Sequence, residues 1–263
     1  MFNPKARVCP RVIAHRGGGL MRPENSWEAF EFCAAEGFDY VETDAQLSAD
    51  GEVFLLHDPV LERVSDGRGA VGNLSGEELR ALTLHGSRRG PVPLTEALAQ
   101  FPDTAFNIDA KSDAVVQPLL DAITAAGAQG RVLLASFSSA RLRKIRRLYP
   151  NIATSLGESE IASLVATSRL PERSWLHLPW HRAALQSDTR AGRPVAVQVP
   201  LSYRGIPIIT QRFVALSHYL GYHVHVWTLN DAQQVHLALD RGADAIITDD
   251  LTMARSILKS RRS

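Results

Sequence analysis

The chain has 263 residues, of which 45% are hydrophobic and 22% charged, with a formal net charge of +1. That balance suits one large or two small globular domains, excludes a disordered chain, and gives no global pull toward nucleic acid or an anionic membrane. Two cysteines, Cys9 and Cys33, at no metal-type spacing, exclude a disulfide framework.

The opening "MFNPKARVCPRVIAHRG" has no apolar leader and no run approaches transmembrane length, so a reducing cytoplasm without stable membrane insertion is expected. The first strand is expected at "RVIAH" (11–15), followed by a helix in "NSWEAFEFCAAEG" (25–37), with Asn25 as N-cap and Gly37 as stop. "YVETDAQ" (40–46) is the next strand, and the Asp50-Gly51 turn folds the chain back into "VFLLH" (53–57). Residues 59–92 are rich in Gly and turn residues and read as an insertion ahead of the helix "LTEALAQF".

From there the rhythm is regular. "AFNIDAK" (105–111) precedes "AVVQPLLDAITAAG", "RVLLASF" (131–137) precedes "SARLRKIRRLYP", and "NIATSLG" (151–157) precedes "SEIASLVATSRL". The basic run "RLRKIRR" (141–147) reads as a solvated helix face. Residues 172–194 break the pattern: "WLHLPW" has strand character, but Pro179 favours irregular structure with a short helix after it. "VAVQVP" (195–200), "HVHVWTL" (223–229) and "DAIITD" (244–249) then each precede a helical stretch.

Setting the hairpin partner aside, eight strands alternate with helices. The pattern predicts a TIM (β/α)8 barrel over residues 1–263, a single domain with a small insertion after the second-strand hairpin. No glycine-rich dinucleotide loop or P-loop is present.

In such a barrel the C-terminal strand ends face the site. Strand one ends in His15-Arg16-Gly17, strand two carries Glu42 and Asp44 on one face, and the hairpin returns His57 to the same place. The third barrel strand carries Asp109 and Lys111, and Trp227 stands near the end of the seventh. One buried histidine or one Asp-Lys pair is ordinarily a satisfied core group, but the set recurs at successive strand ends. Three carboxylates without cysteine ligands suit one hard divalent cation, Mg2+ or Ca2+. Arg16 and Lys111 beside it suit phosphate, and two histidines supply an acid and a base near neutrality. Together these describe cleavage of a phosphate ester, with attack by water or by a substrate hydroxyl.

"IAHRGG", "RPENSWEAFEFCAAEGFDYVETDAQLSADGEVFLLHDP", "FNIDAK", "HVWTLN" and "AIITDD" together resemble the glycerophosphodiester phosphodiesterases, from about residue 11 to 250. The resemblance places the family's His-Arg-Gly on His15, Arg16 and Gly17, and its Pro-Glu-Asn on Pro23, Glu24 and Asn25. It puts the Glu-x-Asp metal pair on Glu42 and Asp44, and the second catalytic histidine on His57. The family's third metal carboxylate is commonly Glu; here it is Asp109, one methylene shorter, followed by Lys111. The implied activity is metal-dependent hydrolysis of a small-molecule glycerophosphodiester to an alcohol and sn-glycerol 3-phosphate. His15 and His57 would be catalytic, Arg16, Lys111 and Trp227 would bind substrate, and residues 59–92 would be the family's insertion.

Three rivals are distinguishable. A phospholipase D-type enzyme on lysophospholipids or sphingolipids needs an apolar surface at the mouth, which 59–92 does not supply. A zinc amidohydrolase needs His-x-His on strand one, where Gly17 stands. A catalytically silent binding barrel would show eroded site residues, yet all are present. His223 and His225 are expected to be core groups, and His85, His177, His181, His218 and His236 have no supporting partners in the sequence. Glu24 and Asp58 are candidates to orient Arg16 or a histidine, and Asp249 to pair with a cation at the mouth.

Overall fold

A computed structural model describes residues 10–172, 175 and 194–261. The eight expected strands all form: β1 (Arg11–His15), β2 (Tyr40–Leu47), β5 (Ala105–Ala110), β6 (Val132–Ala135), β7 (Ala153–Ser155), β8 (Pro194–Val199), β11 (His223–Val226) and β12 (Ala245–Thr248). Each pairs in parallel with the next, and β1 closes the ring by pairing with both β2 and β12. Two short antiparallel strands, β3 (Val53–Leu55) and β4 (Val92–Pro93), extend the sheet from β2. A separate hairpin joins β9 (Ser202–Tyr203) to β10 (Ile206–Pro207).

Helices follow the barrel strands: α1 (Trp27–Ala35), α4 (Val116–Ala125), α5 (Ser139–Leu148), α6 (Glu158–Ser168), α7 (Gln211–Tyr219), α8 (Ala232–Asp240) and α9 (Leu251–Ser260). The short helices α2 (Gly76–Ala81) and α3 (Leu94–Gln100) flank β4.

The period-two alternation of the strands separates two apolar environments. On β2 and β5, Val41, Ala45, Phe106 and Ile108 point outward into the layer beneath the helices. Tyr40 points inward and packs with Ile13, Ala245 and Ile247 in the barrel's own core. The inward positions nearer the C-terminal ends are polar, and there the packing stops and the site begins. The segment 59–92 builds a small apolar cluster around Phe54, Leu61, Leu79 and Leu84, with α2 started by a Ser75–Glu78 capping box.

Three expectations meet a different outcome or none. Ser26, not Asn25, caps α1, its hydroxyl accepting from the Ala29 amide at 3.1 Å. Asn25 sits at φ 51° with its side chain turned to β2, donating to Asp44 at 3.1 Å and accepting from Thr43 at 2.7 Å; those buried partners outweigh a cap. The run 141–147 is not one solvated face. Arg146 is only 9% exposed, paired with both carboxylate oxygens of Glu160 at 2.8 Å and bonded to Thr154 Oγ1 and the Ser155 carbonyl. The helical repeat turns it inward with Leu142 and Ile145, and a neighbouring helix supplies the countercharge. Nearly all of 172–194, with His177 and His181, lies outside the described residues.

Candidate active site

The turn after β1 sets the floor of the site. Arg16, Gly17 and Gly18 all take positive φ, at 51°, 79° and 91°. A side chain on Gly17 would come within 2.7 Å of Ala29 Cβ, and one on Gly18 within 2.9 Å of Leu251 Cδ1. Glycine lets the loop press against α1 and α9 while Arg16 turns back over the strand ends.

Register brings the acidic groups together. His15 lies opposite Glu42, and Asp44 opposite Asp109, on neighbouring parallel strands. Like charges opposite one another are unfavourable unless bridged. Lys111 bridges them, its Nζ donating to Asp44 Oδ1 at 2.7 Å and Asp109 Oδ2 at 2.8 Å. Arg16 Nη1 donates to Glu24 at 3.0 Å, and Arg16 Nε lies 3.6 Å from Asp44 Oδ2. Arg63, from the 59–92 segment, reaches Glu24 at 2.6 Å and also bonds Asp58. The result is a chain of alternating charge from Asp58 through Arg63, Glu24, Arg16, Asp44 and Lys111 to Asp109.

Each histidine is held by a carboxylate at the same nitrogen. His15 Nδ1 is 2.8 Å from Asp249 Oδ1, and His57 Nδ1 is 2.6 Å from Asp58 Oδ1. An ionised carboxylate only accepts, so Nδ1 carries the proton in both and Nε2 is left for chemistry. His15 Nε2 lies 3.9 Å from Glu42 Oε2. Burial lowers the pKa of His15, but the Asp249 hydrogen bond and the charges of Glu42 and Asp249 outweigh it, and the net shift is upward. Asp58 is held down to about 2, chiefly by the Arg63 hydrogen bond, with a further contribution from His57. The Asp249 carboxyl is also below its usual range: burial opposes this, and the His15 hydrogen bond and charge, with Asn230 and Arg16, together outweigh it.

The three carboxylates at the floor are unequal. Burial would raise Asp44, but Lys111 pulls it below the ordinary range. Glu42 is shifted well upward by burial and by the charge of Asp44. Among its contacts is the Arg16 amide at 3.2 Å, which does not offset that penalty. Asp109 is raised by burial despite Lys111, and its Oδ1 is buried with no hydrogen-bond partner. An all-oxygen donor set with one orphaned oxygen and one destabilised carboxylate fits a hard cation in its chemistry. Among the described residues, no three His, Cys, Asp or Glu side chains are grouped as a ready ligand set; Lys111 occupies the gap between Asp44 and Asp109.

The eight residues given catalytic, metal or substrate roles in the sequence (His15, Arg16, Glu42, Asp44, His57, Asp109, Lys111 and Trp227) line a cavity of about 540 Å3. Trp227 stands on its wall, edge to face with Phe137 at 6.1 Å. His225 is a core group as expected, close to Gln198 at 3.2 Å and pushed down to about 3 by burial. Asp249 serves His15 and accepts from Asn230 at 2.7 Å. Sequence reasoning missed Arg63, whose partner Glu24 lies 39 residues away, and the apolar far wall of the cavity, made by α6 and the β9–β10 hairpin. The spacing of Ile161 and Val165, one helical turn apart, was the available signal for that wall.

Comparison with known proteins follows the same lines. A family model described as "Glycerophosphoryl diester phosphodiesterase family" matches residues 15–253. The chain is 33% identical over 252 residues to a probable glycerophosphodiester phosphodiesterase 2 of Mycobacterium tuberculosis, covering 95% of this chain and 91% of that one. Its fold is similar to a putative glycerophosphoryl diester phosphodiesterase of Silicibacter pomeroyi, with a TM-score of 0.77 at 22% identity over 97% and 95% of the two chains. It is similar as well to an Oleispira antarctica phosphodiesterase in complex with the product sn-glycerol-3-phosphate, with a TM-score of 0.75 at 22% identity over 95% and 97%.

Proposed function

The chain belongs to the glycerophosphoryl diester phosphodiesterase family, and from that membership we propose that it hydrolyses glycerophosphodiesters to an alcohol and sn-glycerol 3-phosphate by metal-assisted, two-histidine chemistry. The observation that carries the chemistry is the matched pair of carboxylate-held histidines beside a buried carboxylate cluster.

Glu42, Asp44 and Asp109 are the residues that would hold one divalent cation, Mg2+ or Ca2+. Such an ion, when bound, polarises phosphoryl oxygens and offsets charge developing on them. The protein's own groups do the rest. His15 and His57, each with Nδ1–H committed to a carboxylate, present Nε2 as base to one oxygen and acid to the other. The proton removed from the attacking hydroxyl and the proton given to the leaving alkoxide thereby stay on fixed atoms. Asp249 and Asp58 stabilise whichever imidazolium forms. Lys111 and Arg16 keep the floor near neutrality, so an anionic diester can approach three carboxylates. Trp227 forms an apolar side for the organic portion of the substrate.

The test is a metal-by-substrate activity matrix on purified protein, with glycerophosphocholine, glycerophosphoethanolamine and glycerophosphoglycerol against Mg2+, Ca2+ and chelator. Cation-dependent release of glycerol 3-phosphate is expected. Turnover undiminished by chelator would refute the metal assignment, and no turnover of any diester would refute the activity.

A further inference from the structure

Arg63 stands behind the cavity, yet both of its partners serve groups that line it. It lies in a turn near the start of the 59–92 segment, between Leu61 and Val64, which are buried in that segment's own apolar cluster. The Leu61 carbonyl closes the turn, accepting from the amides of Val64 at 3.1 Å and Ser65 at 3.0 Å and from the Ser65 hydroxyl at 3.1 Å. The backbone of Arg63 is therefore fixed to the insertion, while its head reaches two other places in the chain.

The guanidinium forks between them. Nη1 and Nη2 donate to Glu24 Oε2 at 3.0 Å and Oε1 at 2.6 Å, and Nε donates to Asp58 Oδ2. Each carboxylate passes the constraint onward. Asp58 Oδ1 accepts from His57 Nδ1 at 2.6 Å, and Glu24 Oε1 accepts from Arg16 Nη1 at 3.0 Å. Arg16 Nε is buried with no hydrogen-bond partner, so the bond to Glu24 is what orients that head. His57 and Arg16 line the cavity; Glu24, Asp58 and Arg63 do not. Asp58 is kept ionised chiefly by the Arg63 hydrogen bond. In Glu24 burial pushes the pKa upward and the contacts with Arg63 and Arg16 overcome it. Both carboxylates thus remain acceptors at neutral pH.

An arginine placed there for stability alone would achieve little, since its side chain is 48% exposed and exposed ion pairs are weak. What a planar, five-donor fork supplies is fixed relative geometry, which the single nitrogen of a lysine cannot.

We propose that Arg63 is a positioning residue for the phosphodiester reaction: one guanidinium sets the His57 ring and the Arg16 head in register with each other, and makes the 59–92 segment part of the scaffold of the active site. This rests on the phosphodiesterase reading above and adds to it a residue that acts only through others. Its two arms act on different quantities. The His57 arm governs kcat, because the proton moves only in the transition state; the Arg16 arm governs KM, because the phosphate charge is present throughout.

The experiment measures glycerophosphocholine turnover in the parent, Arg63→Ala and Arg63→Lys, and in Arg63→Ala combined with Asp58→Ala or Glu24→Ala, with a melting curve for each. Removing an outer hydrogen-bond partner typically costs about 10- to 100-fold, and Arg63→Ala is expected to lower kcat by that factor. KM should rise about threefold to tenfold, a partial loss of a charge-assisted bond. Added to Asp58→Ala, Arg63→Ala should lower kcat no further; added to Glu24→Ala, it should raise KM no further, since each background has already cut that arm. Arg63→Lys keeps the charge, answers even where the alanine variant fails to fold, and should recover at most one of the two parameters. Long-range 1H–15N NMR of the His57 ring, assigned by its loss in His57→Ala, reads the geometry without turnover: the neutral ring is Nδ1–H in the parent and gains the Nε2–H form in Arg63→Ala. A kcat and KM within about twofold of the parent in Arg63→Ala, an undiminished kcat effect in the Asp58→Ala background, full recovery of both parameters by Arg63→Lys, or an unchanged His57 tautomer would each overturn the proposal. Absence of turnover by the parent would instead overturn the underlying phosphodiesterase reading, and the tautomer comparison would still decide the role of Arg63.

Discussion

Replacing Asp249 with asparagine tests how the first histidine is held. Asp249 Oδ1 accepts from His15 Nδ1 at 2.8 Å and Oδ2 accepts from Asn230 Nδ2 at 2.7 Å. The His15 and Asp249 side chains are each 18% exposed, so water compensates little. An amide at position 249 has one acceptor and one donor end. If its oxygen keeps the histidine, its NH2 faces the NH2 of Asn230; if it turns, its NH2 faces Nδ1 and forces the proton onto Nε2. Either arrangement loses a bond, and the second removes the base. A hydrogen bond to a charged group contributes about 1.5–3 kcal/mol, which corresponds to about a 10- to 150-fold fall in kcat. The assay is steady-state release of glycerol 3-phosphate from glycerophosphocholine, with a melting curve as control. KM should move far less than kcat, and Asp249→Asn placed on His15→Ala should cost nothing further. A kcat within about twofold of the parent, in a folded protein, would refute the positioning role of Asp249.

Other substitutions probe the scaffold and the cation site. Glu160→Ala strands Arg146, which is buried and paired at 2.8 Å, and should cost about 3–5 kcal/mol by urea unfolding at pH 7. Burial alone would raise the Glu160 carboxyl, but the Arg146 hydrogen bonds hold it below its usual value. The stabilisation is therefore complete above the unfolded glutamate pKa of about 4.3 and disappears as pH falls through the lower folded value. The difference between parent and variant should shrink over that acid range and stay constant above it. Gly18→Ala places a Cβ 2.9 Å from Leu251 Cδ1 at a φ of 91°; the left-handed backbone alone costs about 1–2 kcal/mol, read as a fall in melting temperature of roughly 2–6 °C. Glu42→Ala should weaken Mg2+ or Ca2+ binding in calorimetry by more than about 100-fold, beyond the about 10- to 100-fold attributed to outer partners, and unchanged cation affinity would remove Glu42 from the ligand set.

Much of the molecule was legible in the sequence because two periodicities carry it. The eight strands reveal themselves by length and alternation, and the site residues by falling on inward positions near the strand ends, as Glu42, Asp44 and Asp109 do. What stayed hidden depends on contacts between distant segments. Asn25 and Ser26 are both good helix caps, and only the buried partners Asp44 and Thr43 decide which one caps. Arg146 reads as a surface charge until Glu160 of the following helix is brought to it. Asp249 reads as a partner for a cation; closure of the ring through the β1–β12 pairing delivers it to His15 instead. The apolar far wall of the cavity stayed hidden because α6 and a six-residue hairpin supply it, segments that only the folded ring sets beside the strand ends.

The central claim is that His15 and His57 together cleave a glycerophosphodiester. Phosphorus NMR of glycerophosphocholine incubated with purified protein and divalent cation tests it most directly, in the parent and in His15→Ala and His57→Ala. The expected result is conversion of the diester signal to that of sn-glycerol 3-phosphate by the parent, with each variant slowed on the order of 100- to 10,000-fold. Conversion by both variants at the parent's rate would contradict the two-histidine reading.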